Sequence, residues 1–148
     1  MGILTAIQGN RIYLDANIWI YALEAYPDFA ASLSELFQAI DRGGLNAVTS
    51  ELSLAEALVK PISDQNVPRQ IEYRQAISSR RNLRVIPVQR TILIEAARLR
   101  ATGNLKLPDA IHVATASITQ CTTFLTNDQG LRSVTEVPVI ILSQSISP

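Results

Sequence analysis

Four acidic residues carry the chemistry this sequence can do: Asp15, Glu56, Asp109 and Asp128. Asp15 ends the run Arg11-Ile12-Tyr13-Leu14, and a helical pattern starts two residues later. Such a run is a candidate buried parallel strand, because a strand covered on both faces needs no polar alternation. Ligand sites in open parallel α/β sheets lie beyond the carboxyl ends of strands, so Asp15 would stand at that edge. Asp128 follows a comparable run, Phe124-Leu125-Thr126-Asn127. Asp109 falls in the first turn of a helix opened by Pro108, whose start faces the same edge. Glu56 shares a helical stripe with Leu52, Ala55 and Val59, while Leu54 and Leu58 occupy the other side. That pattern predicts a helix covered on both faces, where an ionised carboxylate needs a cation or several donors. Glu56 lies about 9 Å along the axis from Ser50 at ~1.5 Å per residue, so its long side chain can reach back toward the edge.

Each acid also has a plainer reading. Asp15 could only cap its helix, with Asn17 a second cap candidate. Asp109 gains from the helix dipole by a few tenths to ~1 kcal/mol. Asp128 could be a turn residue. Glu56 could pair with an arginine or lie on an exposed face. Convergence is the sharper alternative. At ~4 Å and an effective dielectric of ~20, each like-charge pair costs about 4 kcal/mol before relaxation. A cluster of that kind holds protons or binds divalent cations. Carboxylates with water suit Mg²⁺ or Mn²⁺ rather than zinc. His112 is the single histidine, so no His-rich zinc site can be built. One helical turn beyond Asp109, it reads as a packing or supporting residue ahead of a ligand. Filled with metal, the hollow could hold a phosphodiester and activate water between two ions ~3.5–4 Å apart.

The elements that must position these acids alternate between strand and helix. A short helix runs through Trp19 to Glu24, and Tyr26-Pro27-Asp28 breaks it, with Asp28 placed to cap the next. Phe29, Leu33, Leu36, Phe37 and Ile40 then recur at helical spacing, up to Gly43-Gly44. Asn46 to Thr49 is the second strand. Ser50 caps a helix to about Val59, stopped by Pro61. Ser63 to Pro68 reads as a polar connection and Ile71 to Ser79 as helix. Leu83 to Val88 is the third strand. Thr91 to Ala101 is a helix with Ile92, Ala96 and Leu99 on one face, and the helix opened by Pro108 runs to about Thr119. Thr123 to Thr126 and Val137 to Leu142 complete five strands, followed by a polar tail. Alternation of this kind predicts a single three-layer α/β domain over 1–148, with its core at about 11–142, a mainly parallel sheet and helices on both faces.

Composition fits a globular fold: 148 residues, 47% hydrophobic and 18% charged, enough for one buried core. No apolar run approaches the roughly 18 residues of a membrane span. The stretch Met1-Gly2-Ile3-Leu4-Thr5-Ala6 lacks a basic region and a long apolar core, so no signal peptide is expected. Ala6 breaks the myristoylation pattern. One cysteine, Cys121, excludes an internal disulfide and fits a reducing, cytoplasmic setting; it reads as a small packed hydrophobe. Acids and bases balance at 13 each. Setting the four acids aside leaves 13 − 9 = +4 on the remainder. Arg69, Arg74, Arg80, Arg81, Arg84, Lys60 and Lys106 are candidates for a basic surround, against the alternative of scattered solvated charge.

Four stretches together resemble the motifs of PIN-domain ribonucleases. Leu14-Asp15-Ala16-Asn17-Ile18-Trp19-Ile20-Tyr21 is similar to the first and Ser53-Leu54-Ala55-Glu56-Ala57-Leu58 to the second. Lys106 to Ala116, with Pro108-Asp109-Ala110-Ile111-His112 at its centre, is similar to the third, and Thr126-Asn127-Asp128 to the fourth. Each is weak alone, but four in order span nearly the whole chain. A small stand-alone domain of this kind most resembles the VapC-type toxins of toxin–antitoxin pairs. The resemblance implies a 3-2-1-4-5 parallel sheet and a Mg²⁺- or Mn²⁺-dependent endoribonuclease. It implies that Asp15, Glu56, Asp109 and Asp128 hold metal and position the attacking water, with polar support from Asn17 and Thr126. It also implies an RNA substrate, a homodimer and an antitoxin that covers the site. Ala16 departs from the pattern, since a Thr or Ser often follows the first acid. Two alternatives stand beside this one. A catalytically silent PIN fold would bind RNA or protein. A receiver-like phosphorylation switch would need an acidic pair at the first strand and an acceptor Asp after a later one. Here Asp15 has no acidic neighbour and Ile86-Pro87-Val88 brings no acid.

Overall fold

A computed structural model describes residues 2–146. Met1, from the stretch read for a leader, and Ser147-Pro148, the end of the polar tail, lie outside the described residues. The chain folds in the order α1 (Ile3–Ala6), β1 (Arg11–Leu14), α2 (Ala16–Leu23), α3 (Ala30–Asp41), β2 (Asn46–Ser50), α4 (Glu51–Ser63), α5 (Val67–Ala76), β3 (Leu83–Ile86), α6 (Arg90–Thr102), α7 (Leu107–Ile118), β4 (Thr123–Thr126), β5 (Val139–Ile141) and α8 (Leu142–Ser145). All five strands are parallel, in the order β3-β2-β1-β4-β5. That order matches the expectation from the resemblance. A receiver-like sheet runs 2-1-3-4-5, so the phosphorylation-switch alternative falls here.

Strand periodicity builds the layers. Successive side chains on β1 and β4 point to opposite faces. Ile12, Leu14 and Leu125 enter one apolar cluster with Ile18 and Trp19 of α2, Leu33, Leu36 and Ile40 of α3, Ala57 of α4 and Tyr73 of α5. Tyr13, Val48 and Phe124 enter the other, with Ile92, Ala96 and Leu99 of α6 and most of α7. The centre of α7 is buried from Ala110 to Ala116, because this helix lies between the sheet and α6. Small residues at 110, 114 and 116 allow that approach.

Local chemistry shifted several boundaries from those read in the sequence. Asp15, not Asn17, is the N-cap of α2, its side chain accepting from the Ala16 amide. Asp28 caps nothing: Phe29 is the N-cap of α3, with no side-chain bond. Pro61 does not stop α4, which continues to Ser63. In the last turn a proline forfeits only one helical bond, and the Pro61 carbonyl accepts instead from the Asn66 amide and the Gln70 side chain, at 2.8 and 3.1 Å. The expected polar connection at 63–68 is correspondingly short. Asn66 caps α5 through the Arg69 amide, and Pro68 sits in its first turn. Strands three and five are shorter than read, ending at Ile86 and starting at Val139. The four-residue helices α1 and α8 had no sequence signal. Ser50 does cap α4, accepting from the Leu52 amide at 3.0 Å. Cys121 is 9% exposed, and burial, against weaker opposing effects of the Thr119 hydroxyl, Arg11 and Arg84, pushes its thiol up to about 11.

Candidate metal centre

The β1–β4 ladder sets the site. It extends one residue past both strands, the Asp15 amide donating to the Leu125 carbonyl at 3.1 Å. This brings Asp15 beside Thr126 at the carboxyl edge of adjacent strands. The Thr126 hydroxyl donates to Asp15 Oδ2 at 2.7 Å. It accepts from Asn17 Nδ2 at 3.3 Å and from the Asp128 amide at 3.1 Å. A hydroxyl has one proton and two lone pairs, so Thr126 is fully used. Asp15 Oδ1 accepts from the Ala16 amide at 2.8 Å. Asp15 is only 6% exposed, and these donors fix the orientation of its carboxylate. Asp15 is therefore helix cap and candidate site acid at once. Asn17 supports the fourth motif as well, its Oδ1 accepting from the Asn127 amide at 3.2 Å.

Glu56 comes to this edge from α4, but along an open helix face. The stripe read as covered on both sides is exposed at Ala55, Glu56 and Val59. The Glu56 side chain retains 38% of its accessibility. What turns it inward is His112, whose Nε2 lies 2.6 Å from Glu56 Oε1. The other ring nitrogen, Nδ1, lies 2.6 Å from the Tyr13 hydroxyl. One ligand atom each from Asp15, Glu56 and His112 fall within 4.8 Å of one another.

Asp109 and Asp128 stand outside that set of three. Asp109 is half-buried in the first turn of α7. Burial first, then the charges of Asp15 and Asp128, raise its pKa, with His112 opposing and Glu56 adding. Four acids separated widely in sequence thus share one field. Asp128 is exposed; it caps the 3-10 turn Gln129–Leu131, its Oδ1 accepting from the Gly130 amide at 2.9 Å. Burial acts to lower the pKa of His112, but the Glu56 hydrogen bond and the charges of Asp15, Glu56 and Asp109 raise it on balance. Tyr13 is raised well above its ordinary range, chiefly by complete burial and next by Asp15.

Sequence reasoning treated His112 as a packing or supporting residue and did not weigh Tyr13. The available signal was spacing: three residues after Asp109 on a helix, His112 projects toward a neighbouring part of the same surface. Nothing in the order of residues could have paired it with Glu56. The basic surround is partly tied up locally. Lys60 pairs with Asp64, Arg69 with Glu72, and Arg80 binds the carbonyls of Ala76 and Ser78. A separate apolar cavity of about 410 Å³ lies between α2, α3 and α5, lined by Trp19, Leu33, Phe37 and Arg80 among others and by none of the four acids.

The donor set fits a hard divalent cation. Oxygen donors predominate, Asp15 keeps lone pairs beyond its two hydrogen bonds, and Asp109, its pKa raised first by burial and then by the charges of Asp15 and Asp128, lies in a field that a cation would relieve.

Fold and site together define a parallel α/β domain with an acidic carboxyl edge. The PIN domain family model matches residues 12–137, and the chain belongs to that family. No curated protein matches it. Among solved structures, a chain of VapBC2 from Rickettsia felis bound to a promoter DNA fragment superposes with a TM-score of 0.70 at 16% identity, covering 88% of this chain and 97% of that one. A toxin–antitoxin complex from Klebsiella pneumoniae gives 0.66 at 23% identity, with 88% and 97% covered. VapC20 from Mycobacterium tuberculosis, described as a Sarcin-Ricin loop cleaving toxin, gives 0.66 at 15% identity, with 86% and 98% covered. At these identities the likeness is one of fold. No helix among the described residues is long and apolar enough to cross a membrane.

Proposed function

We propose that this chain is a Mg²⁺- or Mn²⁺-dependent endoribonuclease, the toxin of a type II toxin–antitoxin pair, acting in the cytoplasm as a homodimer. The observation that carries the reading is the joining of Asp15 and Glu56 at one sheet edge, within a field shared with Asp109 and Asp128. Asp15, Glu56, Asp109 and Asp128 are the metal-holding and catalytic residues in this reading, with Asn17 and Thr126 fixing Asp15. A bound divalent cation would offset the carboxylate charge and polarise both a phosphodiester and water. Asp15 is held rigid for that task by Ala16 and Thr126. Asp109, half-buried, and Asp128, exposed, would complete the carboxylate set that holds metal and positions the attacking water. The antitoxin partner is supported by the toxin–antitoxin complexes that share the fold, and an RNA substrate by the loop cleavage ascribed to VapC20.

The test is cleavage of a panel of cellular RNAs by purified, antitoxin-free protein with and without Mg²⁺ or Mn²⁺. Metal-dependent cutting that disappears in Asp15→Asn and Asp109→Asn, with both variants folded, is the expected result. Full activity in either variant would falsify the assignment. Tight RNA binding with no cutting under any metal would point to the silent binding module instead.

A further inference from the structure

We propose that His112, anchored by Tyr13, is the positioning residue for the Glu56 carboxylate. The inference rests on the reading of the acidic edge as a metal site. Glu56 is the one acid of that edge presented by an open helix face, and His112 is its sole hydrogen-bond and ion-pair partner among the described residues. A glutamate has several rotatable bonds, and on an exposed turn its carboxylate samples many positions. His112 removes that freedom. It is 2% exposed, and its Nε2 contacts Glu56 Oε1 at 2.6 Å.

The ring is itself held from behind. Tyr13 Oη lies 2.6 Å from His112 Nδ1. A phenol keeps its proton at neutral pH and donates it. The same hydroxyl can instead accept from Nδ1 when the ring carries both protons, so in either state Nε2 keeps a proton to donate to Glu56. Tyr13 is fully buried and stacked on Phe124, with ring centroids 4.9 Å apart and planes 14° from parallel. Its strand is paired on both sides, Tyr13 lying opposite Val48 and Phe124. Rigidity therefore passes from β1 through α7 to the side chain of α4. The strand that anchors this strut also ends in Asp15, so both carboxylates are placed relative to one rigid element. His112 Nε2 is 3.6 Å from Asp15 Oδ1, too far for a hydrogen bond. The histidine thus binds one carboxylate and leaves the other free for a cation. Partners of this kind, one step removed from the ion, tune affinity by orienting its ligands.

The experiment is Mn²⁺ binding to the full-length metal-free protein by calorimetry, with a melting curve for each variant. In His112→Asn the amide nitrogen reaches the position of Nδ1 but not of Nε2, so the Glu56 contact is lost. Mn²⁺ affinity should fall by about 10–100-fold. His112→Gln returns an amide to the place of Nε2 and should recover most of that loss. Tyr13→Phe keeps the aromatic stack, removes only the hydroxyl, and should weaken binding in the same direction by a smaller factor. If His112→Asn does not fold, these two variants decide. In a Glu56→Gln background, His112→Asn should change Mn²⁺ affinity no further, because its effect passes through the carboxylate. An added loss in that background means His112 touches the ion itself, and overturns the proposal. Equal affinity in the wild type and His112→Asn, or in the wild type and Tyr13→Phe, overturns it too while leaving the metal site standing. A wild-type chain that binds no Mn²⁺ removes the metal site and this inference together.

Discussion

At the scale of single residues, the site is built by small groups used to capacity. Thr126 spends its one proton on Asp15 and both lone pairs on Asn17 and the Asp128 amide. Thr126→Val keeps the shape and strands these partners. Removing one side of a buried network costs about 1–3 kcal/mol, or roughly 2–4 °C of Tm per kcal/mol for a chain of this size. Urea denaturation and RNA cleavage should fall together; an unchanged midpoint would contradict the network. Asp109 behaves in the opposite sense. Its folded pKa is raised by burial and by Asp15 and Asp128. A carboxyl of that kind favours the fold while protonated, below its ordinary range near 3.8, and loses that contribution as pH rises through the folded value. Asp109→Asn should therefore raise Tm at pH 7 in metal-free buffer. The gain should shrink as pH falls toward 4 and the wild-type group protonates. A variant less stable than wild type at pH 7 would remove the repulsion argument.

At the scale of elements, α7 does the most. It starts at the carboxyl edge with Asp109, presents His112 one turn later, and is buried through its centre between the sheet and α6. That burial is possible because Ala110, Ala114 and Ala116 are small, all at 0% exposure. Ala114→Leu should push the helix off its seat, with a loss of about 1–3 kcal/mol typical of overpacking. Equilibrium denaturation measures the loss. Metal affinity should drop beyond what reduced folding explains, since His112 and Asp109 ride on the same helix. Helix α4 has the complementary character. Its Ser50 cap and buried Ala57 hold it in place, while its outer face stays open, so Glu56 depends on a neighbour for its position.

At the scale of the whole molecule, a neutral chain carries a concentrated negative edge. Folding assembles that edge against electrostatic resistance, and a cation that binds only the assembled form should stabilise it by mass action. Millimolar Mg²⁺ or Mn²⁺ should raise the Tm of metal-free protein, and Asp15→Asn should abolish the rise. Differential scanning fluorimetry with a Ca²⁺-free, chelator-washed sample checks both. A flat response in the wild type would remove the metal reading at its base.

Much of this architecture was legible in the order of residues. The apolar runs at 11–14, 46–49 and 123–126 and the helical spacing of Leu33, Leu36 and Ile40 are local patterns with local causes. They place Asp15, Asp109 and Asp128 at strand ends and a helix start, because β and helical periods are properties of the backbone itself. Chain order alone could not say which side chains of different layers would meet. Glu56 was read as buried and is not, since burial of one helix face depends on which neighbours arrive beside it. Asp15 took the capping role expected of Asn17 because the ladder carries one residue beyond β1. The contact of His112 with Glu56 and Tyr13 joins residues 56 and 99 positions apart, through packing of α7 and α4 around the sheet edge. Periodicity and residue type thus determined the elements and which of their ends carry Asp15, Asp109 and Asp128. Only the tertiary structure decided how those acids are held, because side-chain position is set by contacts across layers that share no sequence neighbourhood.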